Sequence, residues 1–307
     1  MTGQGNNLDV SNNVDVTDPA AVNREVGGIF GRLFPGRSAA AIDQAFNDLD
    51  SIYGGAHPGF HACDTPYHDL QHVLDVTLAM ARLMEGHERA HTPDDRLGAQ
   101  LFRLGIVTAL FHDVGYVRRH DDTAHRNGAE LTFTHVSRGA RFLESYLPQI
   151  GMGDLAATAG LLIHFTGYEI PVAQIPVASG RQRTLGCLLG SADIVAQMAD
   201  RCYLEKCRDR LYPEFVAAGI ARRRLPDGQE DVVFESGYDL VMKTPRFFEG
   251  AARRLDDQLD GNHHYGSYHF GGRNVYLEEL VRNIRFAEAI HQAQDTSALR
   301  RVPPKTQ

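Results

Sequence analysis

The chain has 307 residues, 43% of them hydrophobic, and a formal net charge of −8. That is enough apolar material for one large core, and the acidic balance argues against a general binder of nucleic-acid backbone, because no cationic excess is present to release counterions. Four cysteines, Cys63, Cys187, Cys202 and Cys207, form no C-x-x-C pair; with no signal-like N-terminus and no apolar run near the roughly 20 residues that cross a bilayer, they predict a cytoplasmic protein with reduced thiols.

Residues 1–18 are rich in Asn, Asp, Gly and Thr and lack a helical period, so they are expected to be disordered or loosely attached. One helical domain is expected over 19–295, with its chemistry concentrated at about 67–250, followed by a frayed tail over 296–307. Asp18 and Pro19 open a first helix. Ile29 and Leu33, then Ile42, Ala45, Phe46 and Leu49, recur at helical spacing. Gly54-Gly55 and Pro58-Gly59 mark a break. A helix is predicted from near Tyr67 through Ala81. Another is predicted over 94–112, capped by Thr92-Pro93, and its end is apolar nearly all round (Leu104, Ile106, Val107, Leu110, Phe111) and therefore buried. Residues 117–127 read as a loop. Further helices fit 128–146, 153–165, 182–198, 200–218, 241–259 and 274–294. The triplet Arg222, Arg223, Arg224 reads as a solvated loop feature, and Val232-Val233-Phe234 is the best short strand. The fold class is all-α, an irregular multi-helix bundle.

Histidines and carboxylates stand out within these apolar helices. His68 and His72 are spaced i, i+4, which on one helix projects both imidazoles from the same face. His112-Asp113 ends the most apolar helix, where a buried imidazole and carboxylate are costly unless something pairs with them; a divalent cation is the natural partner. Asp193 lies in the apolar, small-residue stretch Leu188-Leu189-Gly190-Ser191-Ala192-Asp193-Ile194-Val195. Glu130, His135 and His164 could serve a second ion or order its waters, and singly each histidine reads equally well as a satisfied core residue. His263, His264 and His269 have no assigned role.

In this order the H…HD…D series is far more specific than its parts, and the sequence resembles the HD-domain metal-dependent phosphohydrolases. Tyr67-His68-Asp69-Leu70-Gln71-His72-Val73-Leu74-Asp75-Val76-Thr77 is similar to the Y-H-N-x-x-H-A-x-D-V signature of the cyclic-nucleotide phosphodiesterases. The segment from Ala192-Asp193-Ile194 to Leu211-Tyr212-Pro213-Glu214-Phe215 resembles that family's A-D-I-S-N and E-F-F stretches. The resemblance implies that His72, His112, Asp113 and Asp193 hold a first divalent metal, that Asp113 bridges to a second, and that His68 is the general acid, so that His68 and Asp113 carry the catalysis. It implies that Glu130 orders second-site waters and that Phe248 or Phe247, with Tyr67, lines the substrate site. One or two ions are implied, with Zn, Mn, Fe, Co or Ni at the His/carboxylate site and Mg at an oxygen-rich one. The implied reaction is hydrolysis of a phosphoester or phosphodiester in a nucleotide-like small molecule by a metal-activated water. No nucleic-acid polymer and no membrane partner is implied, and a homodimer is compatible with the reading.

Three positions depart from the family pattern. Asp69 replaces the Asn after the catalytic His, which adds negative charge expected to raise the His68 pKa. Tyr116 stands where a second His of H-D-x-x-H is usual. Pro245 stands where the family's purine-binding Gln falls, so the resemblance does not extend to recognition of a cyclic nucleotide. Two rival readings follow from the same residues: a di-iron oxygenase using His135 and His164 as extra ligands, and a non-catalytic sensor stabilised by metal. A purely structural site would have no use for a spare acid such as His68.

Overall fold

Side-chain caps set where the long helices begin. Asp18 accepts from the Ala20 N–H ahead of α1 (Pro19–Leu33), and Asp69 from the His72 N–H ahead of α3 (Leu70–Ala90). Ser179, Ser236 and Asn274 do the same for α7 (Gly180–Ala199), α10 (Gly237–Arg253) and α12 (Val275–Ala293). Between these lie α2 (Ala40–Tyr53), α4 (Gly98–Leu110), α5 (His135–Tyr146), α6 (Ala156–Leu162), α8 (Tyr203–Lys206), α9 (Tyr212–Ala217) and α11 (Gly266–His269). The computed structural model describes residues 6–225 and 227–305. Its helices form an irregular all-α bundle, and no helix among the described residues is long and apolar enough to cross a membrane.

The centre of the bundle is α3, which packs on α7, α4, α1 and α11. Leu74, Leu78 and Met80 are fully buried in it. Its polar side chains are buried too, so each needs a partner or must give up its charge. Asp75 takes the second course: burial, and then the nearby Asp200 carboxylate, push its pKa up to about 8, which keeps it protonated at neutral pH.

Several boundaries differ from the sequence expectation. The helix expected near Tyr67 begins at Leu70, because Asp69 adopts the extended cap conformation, and His68 therefore lies outside it. The helix expected from residue 94 begins at Gly98, after a turn in which the Asp95 N–H donates to the Thr92 carbonyl and Gly98 takes φ +77°. The helix expected over 128–146 is split into a 3-10 turn (Gly128–Leu131) and α5, and that over 200–218 is interrupted by a π-helical segment (Cys207–Leu211). Arg222–Arg224 is not a loop but strand β1. It pairs antiparallel with β2 (Glu230–Val232), and Arg222 and Arg223 reach Glu230 and Asp231, each at 3.3 Å.

The N-terminal expectation is corrected more substantially. Residues 1–5 lie outside the described residues, but from Asn6 to Asp18 the chain is ordered and docked. Val10, Val14 and Val16 are buried. Asp9 forms an ion pair with Arg82 of α3 at 2.6 Å, and Arg82 also donates to the Tyr276 hydroxyl of α12 at 3.1 Å. Asp9 further accepts from the backbone N–H groups of Ser11, Asn13 and Val14. A polar composition hid this because the polar groups bond to one another and to a buried guanidinium. Over 296–305 the tail likewise lacks regular structure but is docked: Leu299 is buried, and the Arg301 N–H donates to Glu205 at 3.1 Å; residues 306–307 lie outside the described residues.

Asp9→Ala should leave the Arg82 guanidinium buried and unpaired, at a cost of about 3–5 kcal/mol read from the urea midpoint. Burial opposes the Asp9 charge, but Arg82 and then Ser11 outweigh it and hold the pKa down at about 2, against an ordinary 3.8. A depressed pKa stabilises above the unfolded value and loses that contribution as pH falls through the folded one. The gap between wild type and variant should therefore narrow between pH 3.8 and about 2. A variant as stable as wild type at pH 7 would show that the segment is not docked through this pair.

Candidate functional site

Three helices bring four nitrogen and oxygen donors together. His72 comes from the first turn of α3, His112 and Asp113 from just beyond the end of α4, and Asp193 from the middle of α7. The α4 helix ends at Phe111, whose backbone (φ −115°, ψ 17°) leaves the helical region, and the apolar run before it anchors that end in the core. His72 Nε2 lies 3.3 Å from Asp113 Oδ2 and 3.5 Å from Asp193 Oδ1. His112 Nε2 lies 3.2 Å from Asp113 Oδ2, 3.9 Å from Asp193 Oδ1 and 3.3 Å from His72 Nε2. His112 Nδ1 faces the Ala109 carbonyl at 2.8 Å, which assigns the proton of the neutral ring to Nδ1 and turns the Nε2 lone pair inward.

This arrangement fits a cation. Asp113 Oδ2 is buried without a hydrogen-bond partner, and the ligand atoms of His72, His112 and Asp113 lie within 4.8 Å of one another. The electrostatics point the same way. Burial opposes the Asp113 charge, yet His112 and then His72 outweigh it and hold the carboxyl well below its usual range. Burial would also lower His112, but Asp113 and then Asp193 outweigh it and raise the imidazole to about 9.

His68 reaches the same place by another route. It is not one turn before His72 on a helix; it sits in the bend ahead of the Asp69 cap, where its carbonyl accepts from Thr65 Oγ1 at 2.8 Å. Its ring centre is 5.7 Å from that of His72. Glu214, from α9, grips this bend through three contacts. It accepts from the Tyr67 and His68 N–H groups at 2.5 and 3.1 Å, and faces His68 Nδ1 at 2.5 Å. Burial would lower the His68 pKa; the Glu214 carboxylate, with Asp113 and Asp193 behind it, outweighs burial and raises it to about 9. Asp69 is thus not the source of that rise, since its carboxylate caps α3 and pairs with Arg210 at 3.2 Å. Tyr116 fills the position of the missing histidine as an aromatic spacer, its ring stacked 4.5 Å from His68 on one side and 4.3 Å from His135 on the other.

The remaining sequence-predicted residues divide. His135 comes to the site: its Nε2 is 3.7 Å from Asp113 Oδ1, and its Nδ1 faces the Thr132 carbonyl at 2.6 Å. Gly115 permits this approach, because a Cβ there would overlap the His135 carbonyl. Glu130 does not come to the site; its carboxylate accepts from the Arg126 N–H at 3.2 Å in an exposed bond, and it does not line the cleft. His164 is buried with Nδ1 unpartnered and also lies outside the cleft lining. Phe248 is buried against Tyr203, 5.6 Å between ring centres, while Phe247 is half exposed and lines the cleft.

The cleft beside the four donors has a volume of about 750 Å³. Tyr67 forms part of its wall, and its hydroxyl donates to Gln197 Oε1 at 3.2 Å; Gln197 Nε2 in turn reaches Asp193 Oδ1 at 3.3 Å. Phe133 and Tyr168 stand exposed at the rim, and the Arg254 guanidinium lies 4.1 Å over the Tyr168 ring. Sequence reasoning gave no role to Glu214, Gln197 or Arg254. Only Glu214 carried a signal, as a carboxylate within the stretch that followed Asp193 in the matched pattern.

No protein-family model matches the chain, and no curated protein matches it in sequence. Among solved structures it is similar to the phosphodiesterase domain of Salpingoeca rosetta rhodopsin phosphodiesterase, at 13% identity over 94% of this chain and 92% of that one, with a TM-score of 0.56. It is also similar to the phosphodiesterase domain of the RhoPDE fusion protein from the same choanoflagellate, at 13% identity over 94% and 95%, with a TM-score of 0.49. The first likeness shows a phosphodiesterase-like fold.

In Glu214→Gln the carboxylate that raises His68 is gone, so an NMR pH titration should place the His68 imidazole about 1–3 pH units lower than in wild type. An unchanged titration near 9 would assign the rise to other charges. Gly115→Ala should destabilise by about 1–3 kcal/mol through forced backbone displacement, measured by chemical denaturation; no loss would mean that the contact with His135 is looser than described.

Proposed function

We propose that this chain is a metal-dependent phosphohydrolase that cleaves a phosphoester or phosphodiester bond in a nucleotide-like small molecule. The observation that carries the reading is the convergence of His72, His112, Asp113 and Asp193 beside a paired His68 and Glu214, with His68, His72, Asp113 and Asp193 at the wall of one cleft. The phosphodiesterase-like fold supports it, although fold alone does not assign an activity.

His72, His112, Asp113 and Asp193 would hold a first divalent ion, and the mixed imidazole and carboxylate set suits Zn, Mn, Fe, Co or Ni. Asp113 Oδ1 and His135 would face a second. Bound there, such an ion supplies Lewis acidity to a phosphoryl oxygen and to the attacking water. The chain's own residues do the rest. Glu214 fixes the His68 ring through Nδ1 and leaves Nε2 to hold a proton. From Nε2 that proton passes to the departing oxygen, a contribution of about 10²–10⁴-fold. Tyr116 limits tilting of the ring by stacking on it. Phe133, Tyr168 and Phe247 offer flat apolar surfaces to a base, and Arg246 and Arg254 supply positive charge along the same wall.

The di-iron alternative has less support. It called on both His135 and His164, and His164 does not line the cleft.

Metal-loaded protein assayed against cyclic and linear nucleotides should turn over at least one phosphoester, and hydrolysis of none would overturn the reading. His68→Ala should lose about 10²–10⁴-fold in kcat with its metal content unchanged, whereas Asp193→Ala should lose metal. A bound cation offsets the Asp113 and Asp193 charges and leaves Glu214 to hold His68 up, so turnover should fall with rising pH at a midpoint between the ordinary 6.5 and about 9. Loss of activity on the acid side alone would exclude His68 as the proton donor.

A further inference from the structure

Of the three histidines without a role, the structure separates one from the other two. His269 Nδ1 pairs with Glu85 of α3 at 2.5 Å, which accounts for it. His263 and His264 instead meet Asp256. Beyond α10 the chain continues into a π-helical turn (Arg254–Gln258), then reverses into a 3-10 turn (Asn262–Tyr265). The reversal is built by two left-handed residues, Asp260 at φ 54° and Gly261 at φ 66°, and closed by the Gly261 N–H donating to the Leu255 carbonyl at 2.9 Å. Left-handed backbone at a non-glycine residue is disfavoured and is held only by its surroundings.

The result is a concentration of donor atoms. The ligand atoms of Asp256, His263 and His264 lie within 4.8 Å of one another, and the two imidazole centres are 4.0 Å apart. His263 is the anchor. It is 5% exposed, and its Nδ1 is buried with no hydrogen-bond partner. Its Nε2 faces Asp256 Oδ1 at 3.7 Å, outside hydrogen-bonding reach. Buried side-chain nitrogens ordinarily have a hydrogen-bond partner, and among the described residues His263 Nδ1 has none. The backbone around it is fixed: Asn274 Nδ2 donates to the His263 carbonyl at 2.9 Å and Asn262 Nδ2 to the Leu259 carbonyl at 2.8 Å. On the other side α3 approaches so closely at Gly86 that a Cβ there would overlap the Tyr265 carbonyl. Asp256 and His264 are exposed and free to close on an ion arriving from solvent.

We propose that Asp256, His263 and His264 form a second divalent-metal site, separate from the cleft, for a borderline cation such as Zn²⁺. Two imidazoles and one carboxylate make three protein ligands and leave a fourth position for water. The ion clasps the π-helical turn to the segment lying on α3. That same turn carries Arg254 and Gln258, which line the cleft, so the clasp holds one wall of the cleft in place.

The test is a zinc titration of the metal-free chain by calorimetry at micromolar zinc, with thermal unfolding in parallel. Wild type should bind one equivalent more than Asp256→Ala or His264→Ala, whose exposed positions leave the fold intact, and should show the larger rise in unfolding temperature. His112→Ala, which removes a donor from the cleft, should keep this ion. If the cleft held no zinc, wild type would bind one equivalent and the two surface variants none, so the two sites stand or fall separately. Equal zinc uptake by wild type, Asp256→Ala and His264→Ala overturns the proposal.

Discussion

Two imidazoles and two carboxylates turned toward one another inside a folded chain repel through their lone pairs unless a positive charge stands among them. His72, His112, Asp113 and Asp193 are in that position, with His72 Nε2 and His112 Nε2 only 3.3 Å apart and Asp113 Oδ2 buried without a partner. Burying such a group without a compensating positive charge costs several kcal/mol. The packing of α3, α4 and α7 is what imposes it. Each helix is held by apolar burial on its other faces, so none can rotate away to relieve the repulsion.

A second arrangement depends on the first. His68 is useful as an acid only if it stays protonated near these donors and keeps its orientation. Glu214 supplies both requirements from α9, through the His68 ring and through the two backbone N–H groups of the bend that carries it. The stack of His68, Tyr116 and His135 adds a rigid aromatic wall. Charge elsewhere in α3 is handled in another way: Asp9 neutralises Arg82 from outside the helix, and Asp75 gives up its charge. The central helix thus tolerates these two buried ionisable groups by different local means.

The fold narrows the possibilities without choosing among them. At 13% identity the chain shares a helical framework with the Salpingoeca rosetta phosphodiesterase domain, and its chemistry is set by the side chains at the cleft. There the departures matter. Pro245 lies within α10 and presents no amide, while Gln197 and Arg254 place polar groups elsewhere along the wall. The polar groups along the cleft wall therefore differ from the family pattern.

Helix content and the apolar end of α4 were legible in the sequence, because helical periodicity leaves local marks, while the set His72, His112, Asp113 and Asp193 was implied by the resemblance of its motifs. The i, i+4 argument for His68 reached the right neighbourhood by the wrong geometry: Asp69 caps the helix, and a cap cannot be told from a first-turn residue by spacing alone. Glu214, the docking of Asp9 on Arg82, the failure of Glu130 and His164 to reach the cleft and the reversal that joins Asp256 to His263 and His264 were decided only by the tertiary structure. Each depends on where a side chain points after helices distant in sequence have packed, and on whether a buried polar atom then finds a partner. Local pattern fixes which groups must be accommodated; the packing of the whole chain determines what accommodates them.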